Sequence, residues 1–372
     1  MGRTRRLVSR QAHTLRDTGR RVLIDPLRQH LLEGQVIPAH PLALTASRKL
    51  DERRQRALTR YYMAAGAGGI AVGVHTTQFE IREPRHGLYE PVLALASETV
   101  RSARVGIDTP FALVAGVIGN TGQAAHEAVI AARLGYHIAL LGLGALRDAS
   151  EDALIAHCRE VGEIIPLFGF YLQPAVGGRR LSYGFWRRFA EIASVQAIKI
   201  APFDRYETLS VVRAVADSGR TDIALYTGND DNIIPDLVTR YPVTDANPPR
   251  TIRVVGGLLG HWAIWTPVAV DYHRQALRTD TSPDAVSALL ALGQLVTEMN
   301  AAVFDPANGF RGCISGINEV LSRQGLMEGP WCLDPAHTLS PGQREEISRV
   351  ITRYSVLTDD SFIAEHRDEW LR

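Results

Sequence analysis

The stretch from residue 167 to residue 202, LFGFYLQPAVGGRRLSYGFWRRFAEIASVQAIKIAP, carries the pattern that decides the fold. Its two ends, Leu167–Gln173 and Val195–Ile200, are short apolar runs, which predict buried β-strands. The residues between them, Ser182–Ala193, have the spacing of an amphipathic helix, and Ser182 can cap its first turn. A strand, a helix and a second strand in this order form the repeating unit of α/β proteins with parallel sheets.

The same alternation extends from about residue 35 to residue 280. The predicted strands are Gln35–Leu44, Gly69–Val74, Pro110–Val117, His137–Gly142, Leu167–Gln173, Val195–Ile200, Asp222–Tyr226 and Arg253–Gly256. The predicted helices are Asp51–Ala65, Glu90–Val105, Gln123–Leu134, Ser150–Ile164, Ser182–Ala193, Arg205–Ser218, Pro235–Tyr241 and Trp262–Arg278. Eight strands, each followed by a helix, predict a (β/α)8 TIM barrel. A doubly wound open sheet has the same local pattern and is the alternative.

The ends of the chain differ from this repeat. Additional C-terminal helices are predicted for Asp284–Asn300, Cys313–Gln324 and Pro341–Tyr354. We therefore expect a basic N-terminal extension and lead-in helix over residues 1–34, the barrel over 35–280, and a C-terminal helical extension over 281–372 packed on the barrel. In the first 22 residues, seven arginines are balanced by one acid, Asp17. This favours a disordered basic extension over a short outer helix or a nucleic-acid arm.

The overall composition is that of an ordinary soluble globular protein, with 45% hydrophobic and 22% charged residues and a net charge of +1. Such a balance gives no field that would attract nucleic acid or a membrane surface. Three cysteines without CxxC spacing, Cys158, Cys313 and Cys332, argue against a disulfide framework and a zinc cluster. No apolar run approaches the roughly 18 residues of a membrane span. We therefore expect a cytoplasmic protein.

Lysine is rare in this chain, because only Lys49 and Lys199 are lysines and the other 39 basic residues are arginines. Lys199 lies inside the predicted strand Val195–Ile200. An amine that is desolvated there can lose its proton and attack a carbonyl, whereas a guanidinium stays protonated. Lys199 is therefore a candidate Schiff-base lysine. The alternative is a strand-end lysine whose charge reaches solvent.

In a barrel, polar residues at the other strand ends would meet Lys199, since TIM-barrel active sites form at the C-terminal ends of the strands. The candidates at these ends are Thr76, Thr77, Asn120, Tyr171, Gly228, Asn229 and Gly256. Paired carboxylates and a His/Glu ligand set are missing from these positions. Carbonyl chemistry by covalent catalysis is therefore favoured over hydrolysis or metal-assisted enolisation.

These residues resemble the dihydrodipicolinate synthase and N-acetylneuraminate lyase family of class I aldolases. That family has a tyrosine-x-x-proline motif on strand five and its Schiff-base lysine on strand six, 28 residues after the tyrosine. Tyr171, Pro174 and Lys199 have this order and spacing. The family's Thr-Thr, Gly-Asn-Thr and Gly-Asp-Asp motifs are similar to Thr76-Thr77, Gly119-Asn120-Thr121 and Gly228-Asn229-Asp230. The resemblance covers roughly residues 35–330.

The resemblance implies a lyase or aldolase that acts on a 2-oxo acid such as pyruvate, with Lys199 as the nucleophile and Tyr171 as the proton shuttle. It implies substrate binding by Thr76, Thr77, Asn120, Gly228, Asn229 and Gly256, without a metal or organic cofactor. The expected partners are the 2-oxo acid and an aldehyde, and the expected assembly is a homo-oligomer, either dimer or tetramer.

Two departures argue against dihydrodipicolinate synthesis itself. Gly142–Leu146 stands where the synthases have adjacent tyrosines, and Val176 stands where they have an arginine for the second substrate's carboxylate. Two alternatives to an aldolase remain. One is a sugar-acid dehydratase that uses the same lysine imine, and the other is a non-catalytic 2-oxo-acid-binding protein.

Overall fold

The computed structural model describes residues 14–17, 20–23, 25–244, 249–278 and 282–372. Within these residues, eight parallel strands form a nearly closed barrel, which confirms the predicted TIM-barrel fold and excludes the open sheet. The strands are β1 Val36–Pro38, β2 Gly69–Val72, β3 Ala112–Val117, β4 Ile138–Leu141, β5 Leu167–Leu172, β6 Val195–Ala201, β7 Ala224–Thr227 and β8 Arg250–Leu259.

The ring of strands closes through β1. Strands β2 to β8 pair with one another in order, and β8 pairs with β1, where Gly257 lies beside Val36. A single bridge between Ala39 and Ala71 joins β1 to β2. A further strand, Arg240–Val243, runs antiparallel to the start of β8. It replaces the end of the predicted helix Pro235–Tyr241, which stops at Val238.

Helices follow the strands as predicted, and several begin at a residue whose side chain caps the first turn. The helices are α1 Asp25–Glu33, α2 Glu52–Ala64, α3 Tyr89–Ala103, α4 Thr121–Arg133, α5 Glu151–Gly162, α6 Tyr183–Phe189, α7 Arg205–Asp217, α8 Ile233–Val238, α9 Thr266–Leu277, α10 Pro283–Phe304, α11 Cys313–Arg323, α12 Gln343–Arg353 and α13 Asp360–Trp370. Helices α2–α9 follow β1–β8 in turn. Ser150 and Ser182 accept backbone N–H groups at the starts of α5 and α6, as their positions in the sequence indicate.

The barrel interior is filled from below by α1. Leu27 and Leu31 of this helix pack among inward-facing residues of the strands. The Tyr226 hydroxyl of β7 donates to the Leu31 carbonyl at 2.8 Å. Side chains on a strand alternate between the two faces of a sheet, so the neighbours of an inward residue point out to the helices. This closed lower end leaves the C-terminal end of the barrel for a site.

The N-terminal segment and the C-terminal helices add features that the sequence patterns did not predict. Residues 14–17 and 20–23 form a short antiparallel hairpin, and the rest of the predicted basic extension lies outside the described residues. Helix α13 was not predicted. Of the described helices, α10 alone is long and apolar enough to cross a membrane by length and composition, with a mean hydropathy of 1.4, contrary to the expectation from sequence. Val296, Met299 and Val303 of this helix are buried in the core, and core helices meet the same criterion.

Candidate active site

Lys199 lies on the inner face of β6, near its C-terminal end. It is in register with Phe170 of β5 and Tyr226 of β7, and only 8% of its surface is exposed. Its neighbours on the strand, Ile198 and Ile200, point outward into the main hydrophobic core. The apolar stretch around Lys199 therefore places the amine inside the barrel, where a functional lysine would lie. The alternative, a lysine at the end of a strand whose charge reaches solvent, does not fit this buried position.

The amine borders a small cavity of about 50 Å³. This volume is room for on the order of three waters, which suits a small oxo acid. The Lys199 Nζ atom lies 4.5 Å from the centre of the Phe170 ring. A methyl group at Gly228 would lie 2.4 Å from Lys199 Cε, so a glycine is needed at this position for the lysine to pass. Gly228 therefore lines the cavity, as the sequence predicts.

Burial changes the acidity of Lys199 and of one carboxyl group nearby. Desolvation lowers the pKa of Lys199 to about 8, and the negative charge of Asp230 opposes this change. Desolvation also raises the pKa of Asp230 to about 7, and the positive charge of Lys199 opposes it. Asp230 lines the same cavity and accepts the His261 backbone N–H at 3.0 Å. Two groups that can exchange protons near neutral pH thus share one small site.

His75 also lines this cavity, at the turn after β2. Its burial lowers the imidazole pKa to about 4, and the positive charges of Lys199 and His337 lower it further. The ring is therefore neutral near pH 7 and can form hydrogen bonds without carrying a charge. The sequence places His75 and Asp230 at strand ends, directly beside Thr76 and two residues after Gly228, but the sequence analysis assigned neither a role in the site.

The two predicted threonines have different positions. Thr76 lines the cavity, and its hydroxyl donates to the Ala39 carbonyl at 2.7 Å. The Thr77 hydroxyl donates to the His40 carbonyl at 2.7 Å and accepts the Gly73 N–H at 3.0 Å. Thr77 is fully buried. These hydroxyl groups bond the turn after β2 to the end of β1. Their main role is therefore to hold the turn in place, because their protons are already donated to the protein.

Tyr171 does not face Lys199, which corrects the expected position of its hydroxyl. Because Phe170 is in register with Lys199, the next residue is in register with Ile200 and points outward. The Tyr171 hydroxyl donates to Glu207 at 2.9 Å, and its ring lies 5.4 Å from the Trp186 ring. Its pKa is raised mainly by burial. The spacing to Lys199 is as predicted, but the pleat places the two side chains on opposite faces of the sheet.

Three other predicted site residues lie outside the cavity. Asn120 caps α4 by accepting the Gln123 N–H at 3.0 Å. The Asn229 side chain accepts the Phe203 N–H at 2.9 Å and donates to Asp236 at 3.0 Å, so it orders a loop. Gly256 lies within β8, which continues to Leu259, and it is Gly260 that lines the cavity. In the structure these residues hold local backbone, and their roles as substrate ligands stay predictions.

Aromatic residues from outside the predicted site cover the cavity. Phe203 follows β6, while Phe304 and Phe310 come from the end of α10 and the segment after it. The rings of Phe203 and Phe310 meet edge to face at 5.7 Å. Both residues have positive φ angles, 55° and 66°, a conformation that costs energy for bulky side chains. No local sequence signal connects this C-terminal segment with the lysine.

A second, larger cavity of about 660 Å³ adjoins the first. The two cavities share Phe170 and Leu172 as walls. The larger one lies over the loops after β4 and β5, from Gly142 to Ala149 and from Gly177 to Leu181.

In the part of the chain that the structure describes, no three His, Cys, Asp or Glu side chains are grouped so that they could bind a metal ion.

Comparison with known proteins finds relatives at low sequence identity. No model of a protein family matches the chain. It is 26% identical over 214 residues to the 4-hydroxy-tetrahydrodipicolinate synthase of Bifidobacterium longum strain DJO10A, covering 56% of this chain and 65% of that relative's length. The match thus spans less than two thirds of this relative. The chain is 23% identical over 327 residues to the Moorella thermoacetica protein of the same name, covering 87% of this chain and 99% of that relative.

Solved structures share the fold. YagE, an Escherichia coli K12 prophage protein of the dihydrodipicolinic acid synthase family crystallised with pyruvate, has a TM-score of 0.68 at 16% identity, over 86% of this chain and 98% of YagE. CdNal from Clostridium difficile, crystallised with mannosamine, has a TM-score of 0.68 at 13% identity, over 86% of this chain and 99% of CdNal.

The curated relatives agree with the family resemblance seen in the sequence. The chain is similar, at 23–26% identity, to proteins named 4-hydroxy-tetrahydrodipicolinate synthase. This similarity supports an enzymatic function for the site around Lys199.

Proposed function

We propose that this protein is a Schiff-base aldolase or lyase that acts on a small 2-oxo acid. The observation that carries the proposal is the position of Lys199, desolvated on the inner face of β6 beside a cavity of about 50 Å³. Pyruvate is the simplest 2-oxo acid of suitable size, and YagE binds pyruvate on the same fold. The lysine, more than the family name, indicates the chemistry, because an imine needs an amine that loses its proton at working pH.

The first step is the attack of neutral Lys199 on the ketone carbon of the 2-oxo acid. At pH 7, a pKa of about 8 leaves roughly a tenth of the amine unprotonated. The carbinolamine that forms then loses its hydroxyl as water when a proton is delivered to that oxygen. The product is a protonated imine, which withdraws electrons from the adjacent carbon.

Asp230 is the proposed donor and acceptor of these protons, in place of Tyr171. It shares the cavity with Lys199, and its raised pKa lets it exist in both protonation states near neutral pH. The hydroxyl of Tyr171 is instead held by Glu207 on the outer face of the sheet. His75 also lines the cavity, at the turn after β2, and its neutral ring offers a hydrogen bond to the substrate.

The turn at Thr76 is the proposed position of the substrate carboxylate. Thr76 lines the cavity at the start of a short 3₁₀ turn, His75–Thr77, which its hydroxyl bonds fasten to the end of β1. The Thr77 N–H donates to the Val74 carbonyl at 3.0 Å, so the proposed contact to the carboxylate is the backbone N–H of Thr76. The carboxylate would then be held apart from Asp230, so that two negative charges do not meet.

Dihydrodipicolinate synthesis itself is not proposed. The loop after β4 offers Gly142, Leu143, Gly144, Ala145 and Leu146 in place of the tyrosines implied by the family resemblance. The sugar-acid dehydratase and the binding protein remain alternatives. Imine formation separates an enzyme from a binder, and release or consumption of an aldehyde separates an aldolase from a dehydratase.

Trapping with borohydride tests the proposal. Incubation with pyruvate and borohydride should leave one reduced adduct on Lys199, located by peptide mass spectrometry. Lys49 is the only other lysine in the chain and is exposed, so Lys49→Arg is the matched control and should retain trapping. Lys199→Arg should abolish it, because a guanidinium cannot form the imine. Absence of any adduct across a panel of 2-oxo acids would exclude the mechanism.

A further inference from the structure

The larger cavity has a composition of its own. Of the sixteen described residues that line it, thirteen are apolar or glycine. Phe79, Ile118 and Leu143 come from the loops after β2, β3 and β4, and Leu181 closes the side next to α6. A volume of about 660 Å³ lies within the range of cavities that hold small organic ligands, and these cavities are mostly apolar.

The charged residues that line this cavity lie at its rim or bind the backbone of its loops. Arg147 and Asp148 are exposed on the loop after β4, so they belong to its rim. The Arg179 guanidinium donates to the carbonyls of Leu146 and Ala149. These hydrogen bonds join the loop after β5 to the loop after β4.

The two cavities lie against each other at Phe170 and Leu172, which line both. The Phe170 ring is also the one beside Lys199 Nζ. In the large cavity, Gly144 lets the loops after β4 and β5 approach closely, because a methyl group there would lie 2.0 Å from the Gly177 carbonyl oxygen. A molecule bonded to Lys199 in the small cavity thus has the large cavity as its neighbour, across Phe170.

We propose that the large cavity binds the second substrate, and that this substrate is an aldehyde with an apolar aliphatic or aromatic body. The inference rests on the proposed function of Lys199 and names the substrate class for the same site. A polyhydroxylated or charged aldehyde would leave its polar groups facing apolar walls, where unpaired polar groups are costly. An apolar body gains from the same surface.

The reaction joins the two molecules with a simple balance of atoms. The lysine imine of pyruvate loses one proton from its methyl carbon and becomes an enamine. That carbon forms a C–C bond to the aldehyde carbon, and the aldehyde oxygen takes up one proton to become a hydroxyl. Water then hydrolyses the imine, which releases a 4-hydroxy-2-oxo acid and restores the Lys199 amine. The reverse reaction cleaves the same bond and releases the aldehyde.

A comparison of aldehydes tests the inference with the full chain. Pyruvate is combined with benzaldehyde, hexanal, glyceraldehyde or aspartate semialdehyde, and the 4-hydroxy-2-oxo acid is measured by mass spectrometry. We expect the kcat/KM for benzaldehyde and hexanal to exceed that for the two polar aldehydes by about 10- to 10²-fold. This is the scale set by burying one ring or alkyl chain instead of leaving it in water.

A substitution in the cavity wall supplies the second readout. Ala145→Trp adds bulk at an exposed lining position. Its kcat/KM for benzaldehyde, divided by the pyruvate trapping rate of the same variant, should fall at least tenfold. Val105→Trp is the matched control, because it adds a tryptophan at a site that is 82% exposed and outside the cavity.

The outcomes separate this inference from the proposed function. If pyruvate forms the Lys199 adduct but glyceraldehyde or aspartate semialdehyde reacts as well as the apolar aldehydes, the inference is wrong and the Schiff-base function stands. The same conclusion follows if Ala145→Trp leaves the normalised benzaldehyde value unchanged. If no 2-oxo acid forms an adduct, both are wrong.

Discussion

Gly228 gives the sharpest test of how the barrel positions its lysine. In Gly228→Ala, the new methyl group would lie 2.4 Å from Lys199 Cε and 2.7 Å from Ala201 Cβ. An ordinary contact needs about 3.4 Å or more, so the lysine side chain must shift by about 1 Å. A misplacement of about 1 Å near a reacting group can lower the rate by about 10²-fold. Overpacking of this kind also costs about 1–3 kcal/mol of stability.

The assay for this variant is the rate of borohydride trapping by pyruvate, with thermal unfolding as a check of the fold. We expect trapping to slow by about 10²-fold while the protein remains folded. Gly122→Ala is the matched control, because a methyl group there would meet its nearest neighbour at 3.6 Å and would fit. It should keep the wild-type rate. A Gly228→Ala variant that traps pyruvate at the wild-type rate would refute the position assigned to the lysine.

Three further predictions concern proton transfer and stability. Tyr171→Phe should retain trapping and turnover within about tenfold, since the Tyr171 hydroxyl bonds Glu207 on the outer face of the sheet. A loss of about 10²–10⁴ in kcat, the usual effect of removing a positioned acid or base, would show that Tyr171 is the proton shuttle. The trapping rate should rise with pH with a midpoint near pH 8, because only the neutral amine attacks. In Asp230→Asn this midpoint should move to lower pH, because the carboxylate that favours the lysine cation is gone, and kcat should fall by about 10²-fold or more. An unchanged midpoint would contradict the coupling. Ser182→Ala should lower the free energy of unfolding by about 1 kcal/mol in denaturant titrations, since the Ser182 hydroxyl accepts the Phe185 N–H at the start of α6; no change would show that this cap contributes nothing.

The alternation of strands and helices was predictable because burial imposes it on the sequence. Strands covered on both faces are short apolar runs, and the helices outside them have one apolar face. Lys199 was predictable for a related reason, since a lysine in such a run is unusual where arginine supplies nearly all other positive charge. Gly228 followed from its position at the end of β7 and from the family motif, whereas the space that it leaves for the lysine is visible only in the structure.

The side-chain geometry was less predictable. The spacing of Tyr171 to Lys199 fixes a distance along the chain, but not on which face of β5 the tyrosine falls. That face is decided by the register between β5 and β6, which pairs Phe170 with the lysine. Asn120 and Asn229 illustrate a related difficulty, because amide side chains at strand ends serve equally well as caps and as loop ligands.

Residues distant in sequence were outside the reach of local patterns. Phe304 and Phe310 reach the lysine cavity only because α10 packs against the barrel and ends beside its mouth. Gly260 replaces Gly256 because β8 is longer than its apolar core suggests, and its first residues pair with the antiparallel strand Arg240–Val243. Tertiary packing decides both features.

The central claim is that Lys199 is a nucleophile that forms an imine with a small 2-oxo acid. Peptide mass spectrometry after borohydride reduction in the presence of pyruvate measures this most directly, because the chain has only one other lysine, the exposed Lys49. The structure predicts one reduced adduct on Lys199, retained in Lys49→Arg and absent in Lys199→Arg. Modification of Lys49 alone, or equal modification of folded Lys199→Arg, would contradict the claim.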